Sequence, residues 1–246
     1  MKNKIINRNV LILLITVIVT VMLWQFQTGR YIIYPFTILG TWFHEMGHGL
    51  TAIILGGSFN YLELFPDGSG LAVHTGNLLF GSIGRAVVAA GGPVFPIIIG
   101  SVLIIASVKF KSSNIILFAF GLLMFVSVAL WVRTLFGIAS ISLIGAVLLI
   151  ISLRANKNVS SFILQLLGIE ACVSFYLNIG YYFSSGGIIE GTSYHSDTQV
   201  IANNLLLPYW FWGGMIVALS IFVIFYSLKI IVNMDNTQKA DFIQSV

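Results

Sequence analysis

Charged residues are scarce in this chain of 246 residues, since Asp, Glu, Lys and Arg together make up only 8% of it. A soluble domain carries about a quarter charged residues. Hydrophobic residues reach 58% and the mean hydropathy is +0.98, so the composition excludes an ordinary soluble protein and indicates an integral membrane protein. The net charge is only +4, and the basic residues lie mostly at the ends of apolar segments, which indicates membrane topology and no nucleic-acid partner.

Cysteine is nearly absent from the chain. The single residue, Cys172, excludes an intramolecular disulfide and any cluster of thiolates that could bind a metal. Because Cys172 lies in an apolar segment, we expect it to be a buried structural thiol. Histidine and acidic residues are also rare, with 4 His and 8 Asp plus Glu. A metal site would therefore have few side chains to draw on.

Seven apolar segments have the length of a helix that crosses a bilayer. They lie near residues 10–28, 31–56, 78–108, 114–132, 134–153, 159–183 and 205–232. We therefore predict an all-α polytopic membrane protein with six to seven transmembrane helices, folded as a single domain over residues 1–246. Basic residues precede the first segment and no small-residue cleavage site follows it, so we expect an uncleaved first span and a cytoplasmic N terminus in the cell membrane.

The segment at residues 78–108 is too long for one untilted span, and it contains Gly91-Gly92-Pro93 and Pro96. A kinked long helix and a re-entrant pair of helices both fit this pattern. If the segment crosses and returns, the later basic residues lie in the cytoplasm, as membrane proteins prefer. These residues are Lys109, Lys111, Arg154, Lys157, Lys229 and Lys239. A single crossing would place all six outside, so we predict the returning arrangement.

Two polar segments interrupt the apolar ones. In residues 58–77, strand-like runs flank the turn sequence Pro66-Asp67-Gly68-Ser69-Gly70, which predicts a small membrane-associated β-hairpin. Residues 184–204 are rich in Gly, Ser, Thr and Asn, which predicts a flexible loop. That loop contains Glu190, His195 and Asp197.

The second apolar segment, residues 31–56, contains the motif H-E-x-x-H at residues 44–48. Residues i and i+4 share one face of an α-helix, so His44 and His48 can bind one metal ion together, with Glu45 beside them as a proton acceptor. Composition alone would produce this motif with a frequency of roughly 0.001. Ionisable side chains are also costly in an apolar span, so the motif predicts an intramembrane zinc site.

A catalytic zinc ion usually has three protein ligands and one open position, so a third ligand must come from elsewhere in the chain. Glu170 is a candidate because it lies within an apolar segment, where a carboxylate is usually functional. Asp197 is another, although it could instead cap a short helix. Chemistry alone favours these two, with Asp197 first. Weaker candidates are Glu63, Glu190 and Asp67, the last of which suits a turn.

The stretch Thr41 to Leu50, TWFHEMGHGL, resembles the active-site helix of the site-2 protease superfamily of intramembrane zinc metalloproteases. Other stretches are similar to its small branch of site-2-protease-like membrane peptidases. They are Pro66-Asp67-Gly68-Ser69-Gly70, Ala90-Gly91-Gly92-Pro93, and Ser196-Asp197 with Leu205, Pro208 and Trp212. The resemblance implies one zinc ion on His44, His48 and Asp197, with Glu45 as the catalytic base. The Asn-x-x-Pro and Leu-Asp-Gly sequences of better-known members are missing.

These features predict an intramembrane zinc metalloprotease that hydrolyses peptide bonds in or near transmembrane segments of membrane proteins within the lipid bilayer. The predicted hairpin at residues 58–77 could receive an unwound substrate by strand addition. Two alternatives are not enzymes: a metal-binding membrane protein or transporter, and a catalytically silent membrane adaptor. Paired broken helices or inverted repeats would favour the transporter.

Overall fold

The structure, a computed structural model, describes residues 8–109 and 113–244 and is mostly helical. Its helices are α1 (Arg8–Trp24), α2 (Gln27–Ile54), α3 (Ser82–Lys109), α4 (Ser113–Leu130), α5 (Leu135–Arg154), α6 (Lys157–Leu177), α7 (Ile179–Tyr182), α8 (Asp197–Asn204) and α9 (Tyr209–Gln244). Its strands form two separate antiparallel hairpins, β1 (Ser58–Leu64) with β2 (Gly70–Thr75), and β3 (Gly186–Ile189) with β4 (Thr192–His195). The hairpin predicted at residues 58–77 is therefore present, and residues 184–204 contain regular structure where a loop was predicted.

Within the described residues, five helices are long and apolar enough to cross a membrane, namely α3, α4, α5, α6 and α9. The pair α1 and α2 passes the same test together but is bent by 120° at its break, and it can count as a sixth span. The chain is thus a helical membrane protein. The described residues contain five candidate spans, or six with the bent pair, so the predicted count of six to seven is not confirmed.

The prediction that residues 78–108 cross and return is wrong, because α3 runs as one helix through Pro93 and Pro96. Each proline removes a single helical hydrogen bond, which neighbouring helices can compensate in a membrane protein. α3 has such neighbours on two sides: Gly91 lies against α2, and Gly100 lies against Gly168 of α6.

The break in the helices lies between α1 and α2 instead. With the break at this position, the later basic residues can still lie on the cytoplasmic side, as membrane proteins prefer. If the bent pair counts as one crossing and α3 as one crossing, the basic residues at later helix ends still share the side of the N terminus. These are Lys109, Arg154, Lys157, Lys229 and Lys239. Lys111 lies outside the described residues.

Glycines bring α2 and α3 into backbone contact. A Cβ atom built on Gly47 would overlap the Gly91 carbonyl oxygen and lie 2.6 Å from Phe95 Cβ. A Cβ atom on Gly91 would overlap Thr51 Oγ1 and lie 2.8 Å from Gly47 O. Small residues allow such close approach of membrane helices. The contact places the middle of α3 directly beside the H-E-x-x-H motif.

A second face of α2 is fixed by the apolar core. Trp42 and Phe43 are each 1% exposed, and the Phe43 ring stacks on Phe120 of α4 at a centroid distance of 5.6 Å. Trp42 Nε1 donates a hydrogen bond of 3.1 Å to Ser127 Oγ, which satisfies its only polar group. This packing sets the rotation of α2, so His44 and His48 point toward α3 and α8.

We predict that Gly47→Ala destabilises the protein by about 1–3 kcal/mol, because the added methyl group must separate two backbones in contact. Gly214→Ala is the matched control, since a Cβ atom there has no neighbour within 4 Å. Alanine favours a helix over glycine, so the control should be neutral or stabilising. Thermal unfolding in detergent measures both variants, and equal stability of the two would contradict the close contact.

Candidate metal centre

Three potential ligands meet at one point of the fold. His44 Nε2 and His48 Nε2 lie 3.1 Å apart on α2. Asp197 Oδ2 lies 3.0 Å from His44 Nε2, and Asp197 Oδ1 lies 3.2 Å from His48 Nε2. Among the described residues, these three form the one group of His, Cys, Asp and Glu side chains able to share a metal ion.

The spacing of the three ligand atoms fits zinc. Tetrahedral zinc with bonds of 2.0–2.1 Å has ligand atoms about 3.3 Å apart, close to the observed separations. Asp197 is only 8% exposed, and its buried Oδ2 atom faces His44 Nε2 at 3.0 Å without a hydrogen bond of good geometry. A buried carboxylate oxygen needs a cationic or donor partner. Two imidazoles and one carboxylate beside an open cleft match the donor set of a catalytic zinc site.

The orientation of His48 also suits metal binding. Its Nδ1 atom lies 2.9 Å from the backbone oxygen of Val88 in α3. A carbonyl oxygen only accepts, so Nδ1 carries the proton and Nε2 keeps its lone pair for a metal. Gly92 of α3 provides the space for both rings, because a Cβ atom there would overlap His48 Nε2 and lie 2.8 Å from His44 Nε2.

Asp197 is positioned by its two neighbours in sequence, which are both fully buried. Ser196 Oγ donates to Ser184 O at 2.6 Å and accepts from Gln199 N, so Ser196 is the N-cap of α8 and Asp197 does not have that role. Thr198 Oγ1 donates to Tyr182 O at 2.9 Å. Burial alone disfavours a charged carboxylate, but the nearby imidazoles outweigh it and hold the pKa of Asp197 well below its usual range.

Glu45 lies beside the cluster and is 7% exposed. Its side chain packs on Gly70 of β2, where an added Cβ atom would lie 2.9 Å from Glu45 Cγ. The backbone N–H of Ala72, also in β2, lies near its carboxylate. These neighbours place the carboxylate on the cleft side of α2, next to the three potential ligands but outside their group.

The hydrogen bonds of β1 show which edge of the first hairpin is free. Both backbone groups of Leu62 in β1 bond to the segment before α5, since Leu62 N donates to Trp131 O and Leu62 O accepts from Arg133 N. Leu62 pairs with Ala72, so the polar backbone atoms of Ala72 point away from β1. The outer edge of β2 therefore faces the cleft that holds Glu45.

The other acids considered from the sequence lie elsewhere. Glu170 on α6 accepts a hydrogen bond from Thr20 of α1 and is not in the ligand group. Asp67 accepts from Ser69 N and Ser69 Oγ, and these bonds lower the pKa of its carboxyl, as in an Asx turn. Glu63 lies in β1 opposite Leu71 of β2, and Glu190 occupies the tight turn between β3 and β4 with a φ of 48°.

Two adjoining cavities of ≈ 270 and ≈ 240 Å³ open onto the cluster. The second also contains the remaining two histidines, His74 and His195. Burial, together with nearby His48, lowers the pKa of His74, which favours its neutral form. Residues that line both cavities are His44, Glu45, Gly70, Tyr181, Ile189 and Tyr194.

Sequence reasoning missed Gly92, Ala72 and Tyr181 as parts of this site. Gly92 was noted only within a Gly-Pro motif, and Ala72 acts through its backbone, which leaves no compositional signal. Tyr181 follows other aromatic residues at the end of an apolar segment, where membrane proteins commonly place them.

The family model described as Peptidase M50B-like matches residues 12–227, a range that includes α2, both hairpins and α8. The chain belongs to the peptidase M50B-like family. This is a site-2 protease family, so the resemblance found in the sequence is confirmed. No curated protein and no solved structure matches the chain significantly. Membership supports a membrane metalloprotease, and the His44, His48 and Asp197 cluster of this M50B-like protein is a possible metal site.

We predict that the purified protein holds about one zinc ion per chain, and that Asp197→Ala loses it, because two imidazoles alone bind zinc weakly. Glu190→Ala and Glu170→Gln should keep the metal, since neither carboxylate lies in the ligand group. Elemental analysis after gel filtration measures the zinc content. Zinc retained in Asp197→Ala but lost in Glu170→Gln would transfer the third ligand to α6.

Gly92→Ala should weaken zinc binding by about 10- to 100-fold, in the range seen when groups around metal ligands are altered. The added methyl group would push the two imidazoles out of their present positions. Competition with a chelator of known affinity measures the change, with Gly214→Ala as the control. Unchanged zinc affinity in Gly92→Ala would show that the ligand rings do not need this space.

Proposed function

We propose that this M50B-like protein is a zinc-dependent endopeptidase of the cell membrane that hydrolyses peptide bonds in or near transmembrane segments of other membrane proteins. The main support is the position of Glu45, a buried carboxylate beside two histidines and an aspartate whose ligand atoms are 3.0–3.2 Å apart. All four residues line one cavity.

In this proposal His44, His48 and Asp197 hold the metal, and Glu45 moves the proton. A zinc ion bound there would act as a Lewis acid and lower the pKa of water toward neutrality. A carboxylate oxygen of Glu45 accepts a proton from the attacking water and then delivers it to the nitrogen of the leaving amine. Burial of Glu45 keeps bulk water from competing for this proton.

The free edge of β2 is suited to hold the substrate. A transmembrane helix must unwind before its carbonyl groups can be attacked, and its freed backbone groups then need partners that lipid does not provide. An extended chain added to the β2 edge gains such partners from the backbone around Ala72. Because Gly70 and Ala72 both contact Glu45, this edge would lead the chain past the base.

The alternatives without catalysis have less support. A transporter is expected to contain paired broken helices, and the described part of the chain contains one bent pair, α1 with α2. A metal-binding protein or a silent adaptor has no need of a buried carboxylate such as Glu45, which lies on α2 against the edge of β2. These alternatives also predict that replacing Glu45 leaves the protein's role unchanged.

Glu45→Gln should retain zinc and fold but lose proteolysis by about 10²- to 10⁴-fold, because only proton transfer is removed. The assay is co-expression with candidate single-span membrane proteins, followed by immunoblotting for fragments. Glu190→Gln, in the turn between β3 and β4, is the matched control and should cleave like wild type. Fragments produced equally by Glu45→Gln would rule out Glu45 as the base.

A further inference from the structure

Hydrolysis of a peptide places negative charge on the carbonyl oxygen of the scissile bond. Enzymes usually stabilise this charge with hydrogen-bond donors that are already in place. The chain lacks the Asn-x-x-Pro sequence that could supply an amide donor. We therefore expect another side chain that lines the cleft to donate the hydrogen bond to this oxygen.

Several neutral side chains in the ≈ 270 Å³ cavity already donate to an acceptor within the protein. Thr41 Oγ1 donates to Gly68 O at 2.6 Å, and Ser69 Oγ donates to Asp67 Oδ1 at 2.6 Å. On α6 and just after it, Ser174 Oγ and Asn178 Nδ2 donate to backbone oxygens. Among residues that line both cavities, the neutral side-chain donors that are left are Tyr181 and Tyr194.

The hydroxyl of Tyr181 is held beside the metal ligands. The backbone N–H of Asp197, in the first turn of α8, lies near the Tyr181 phenol oxygen, and Tyr181 lines one cavity together with His44, His48 and Asp197. A phenol hydroxyl both donates and accepts, so its proton can be donated into the cleft.

The backbone of Tyr181 is also firmly anchored. Tyr181 O accepts from both Ser184 N at 3.1 Å and Ser184 Oγ at 2.9 Å. Its neighbour Tyr182 is 2% exposed, stacks on Phe175, and accepts a hydrogen bond from Thr198 through its backbone oxygen. The bond from Thr198 therefore ties the start of α8, next to Asp197, to Tyr182, next to Tyr181. A donor so constrained reorganises little during a reaction.

We propose that Tyr181 is a further catalytic residue, whose phenol hydroxyl donates a hydrogen bond to the carbonyl oxygen of the scissile peptide bond as that oxygen becomes negative. This inference rests on the proposed function. Tyr181 keeps its proton throughout, and Glu45 carries out the proton transfer. No bond to Tyr181 forms or breaks.

Tyr194 provides a matched comparison. It lines the same two cavities as Tyr181 but lies on β4 of the second hairpin and is 36% exposed. Strand β4 is exposed along its whole length, so Tyr194 has little packing to fix its hydroxyl. Replacing Tyr194 with Phe removes the same chemical group from the same cleft without removing the anchored donor.

The test compares wild type, Tyr181→Phe and Tyr194→Phe, each purified in detergent. Tyr181→Phe should lower kcat by about 10²-fold with KM little changed, the cost of losing one donor to the oxyanion. Its zinc content and unfolding temperature should stay at the wild-type values. Its affinity for a phosphinic peptide, which mimics the tetrahedral state, should fall by a similar factor. Tyr194→Phe should resemble wild type in all four measurements.

The inference is overturned if Tyr181→Phe matches wild type in kcat and in affinity for the phosphinic peptide. It is also overturned if Tyr181→Phe loses zinc, because the hydroxyl would then act by holding Asp197. A wild-type protein that cleaves no substrate counts against the proposed function itself. A wild-type protein that cleaves, beside an equally active Tyr181→Phe, counts against the role of Tyr181 alone.

Discussion

The structure depends on keeping one carboxylate charged inside an apolar protein. Asp197 is 8% exposed, and it is tolerated there because His44 and His48 approach both of its oxygens. Several other features of the fold keep His44 and His48 close to Asp197. Gly92 of α3 lets the two imidazoles lie against a backbone, and the core around Trp42 fixes the rotation of α2. Ser196 and Thr198 hold the start of α8 in place.

Much of the helical fold could be predicted because apolar length and composition report directly on membrane spans. The apolar segments near residues 114–132 and 134–153 correspond closely to α4 and α5. The turn at Pro66 to Gly70 predicted the first hairpin, since Pro, Asp and Gly each restrict the backbone locally. The path of α3 was not predictable in this way. Whether Pro93 breaks a helix depends on the neighbours that pack around it, and those are set by tertiary structure.

The residues of the candidate site also divide into those that the sequence predicts and those that depend on tertiary structure. His44, Glu45 and His48 are close in sequence, and helical periodicity alone places them on one side of α2. Asp197 is distant in sequence, and its geometry could not be derived from spacing, although the resemblance implied it as a ligand. Residues 184–204 were expected to be a loop because strands of four residues and a short polar helix leave almost no periodic pattern. Tyr181 and Ala72 reach the site only through folding, since neither belongs to a motif of the sequence.

The most direct test of the account is X-ray absorption spectroscopy at the zinc edge of the purified protein. We predict two imidazole nitrogens at about 2.0–2.1 Å and oxygen ligands at about 2.0–2.2 Å, one of them from Asp197. Asp197→Ala should lose the carboxylate contribution or the metal itself. A spectrum with a sulfur ligand from Cys172, or one without imidazole, would contradict the assignment of His44, His48 and Asp197 as the metal centre.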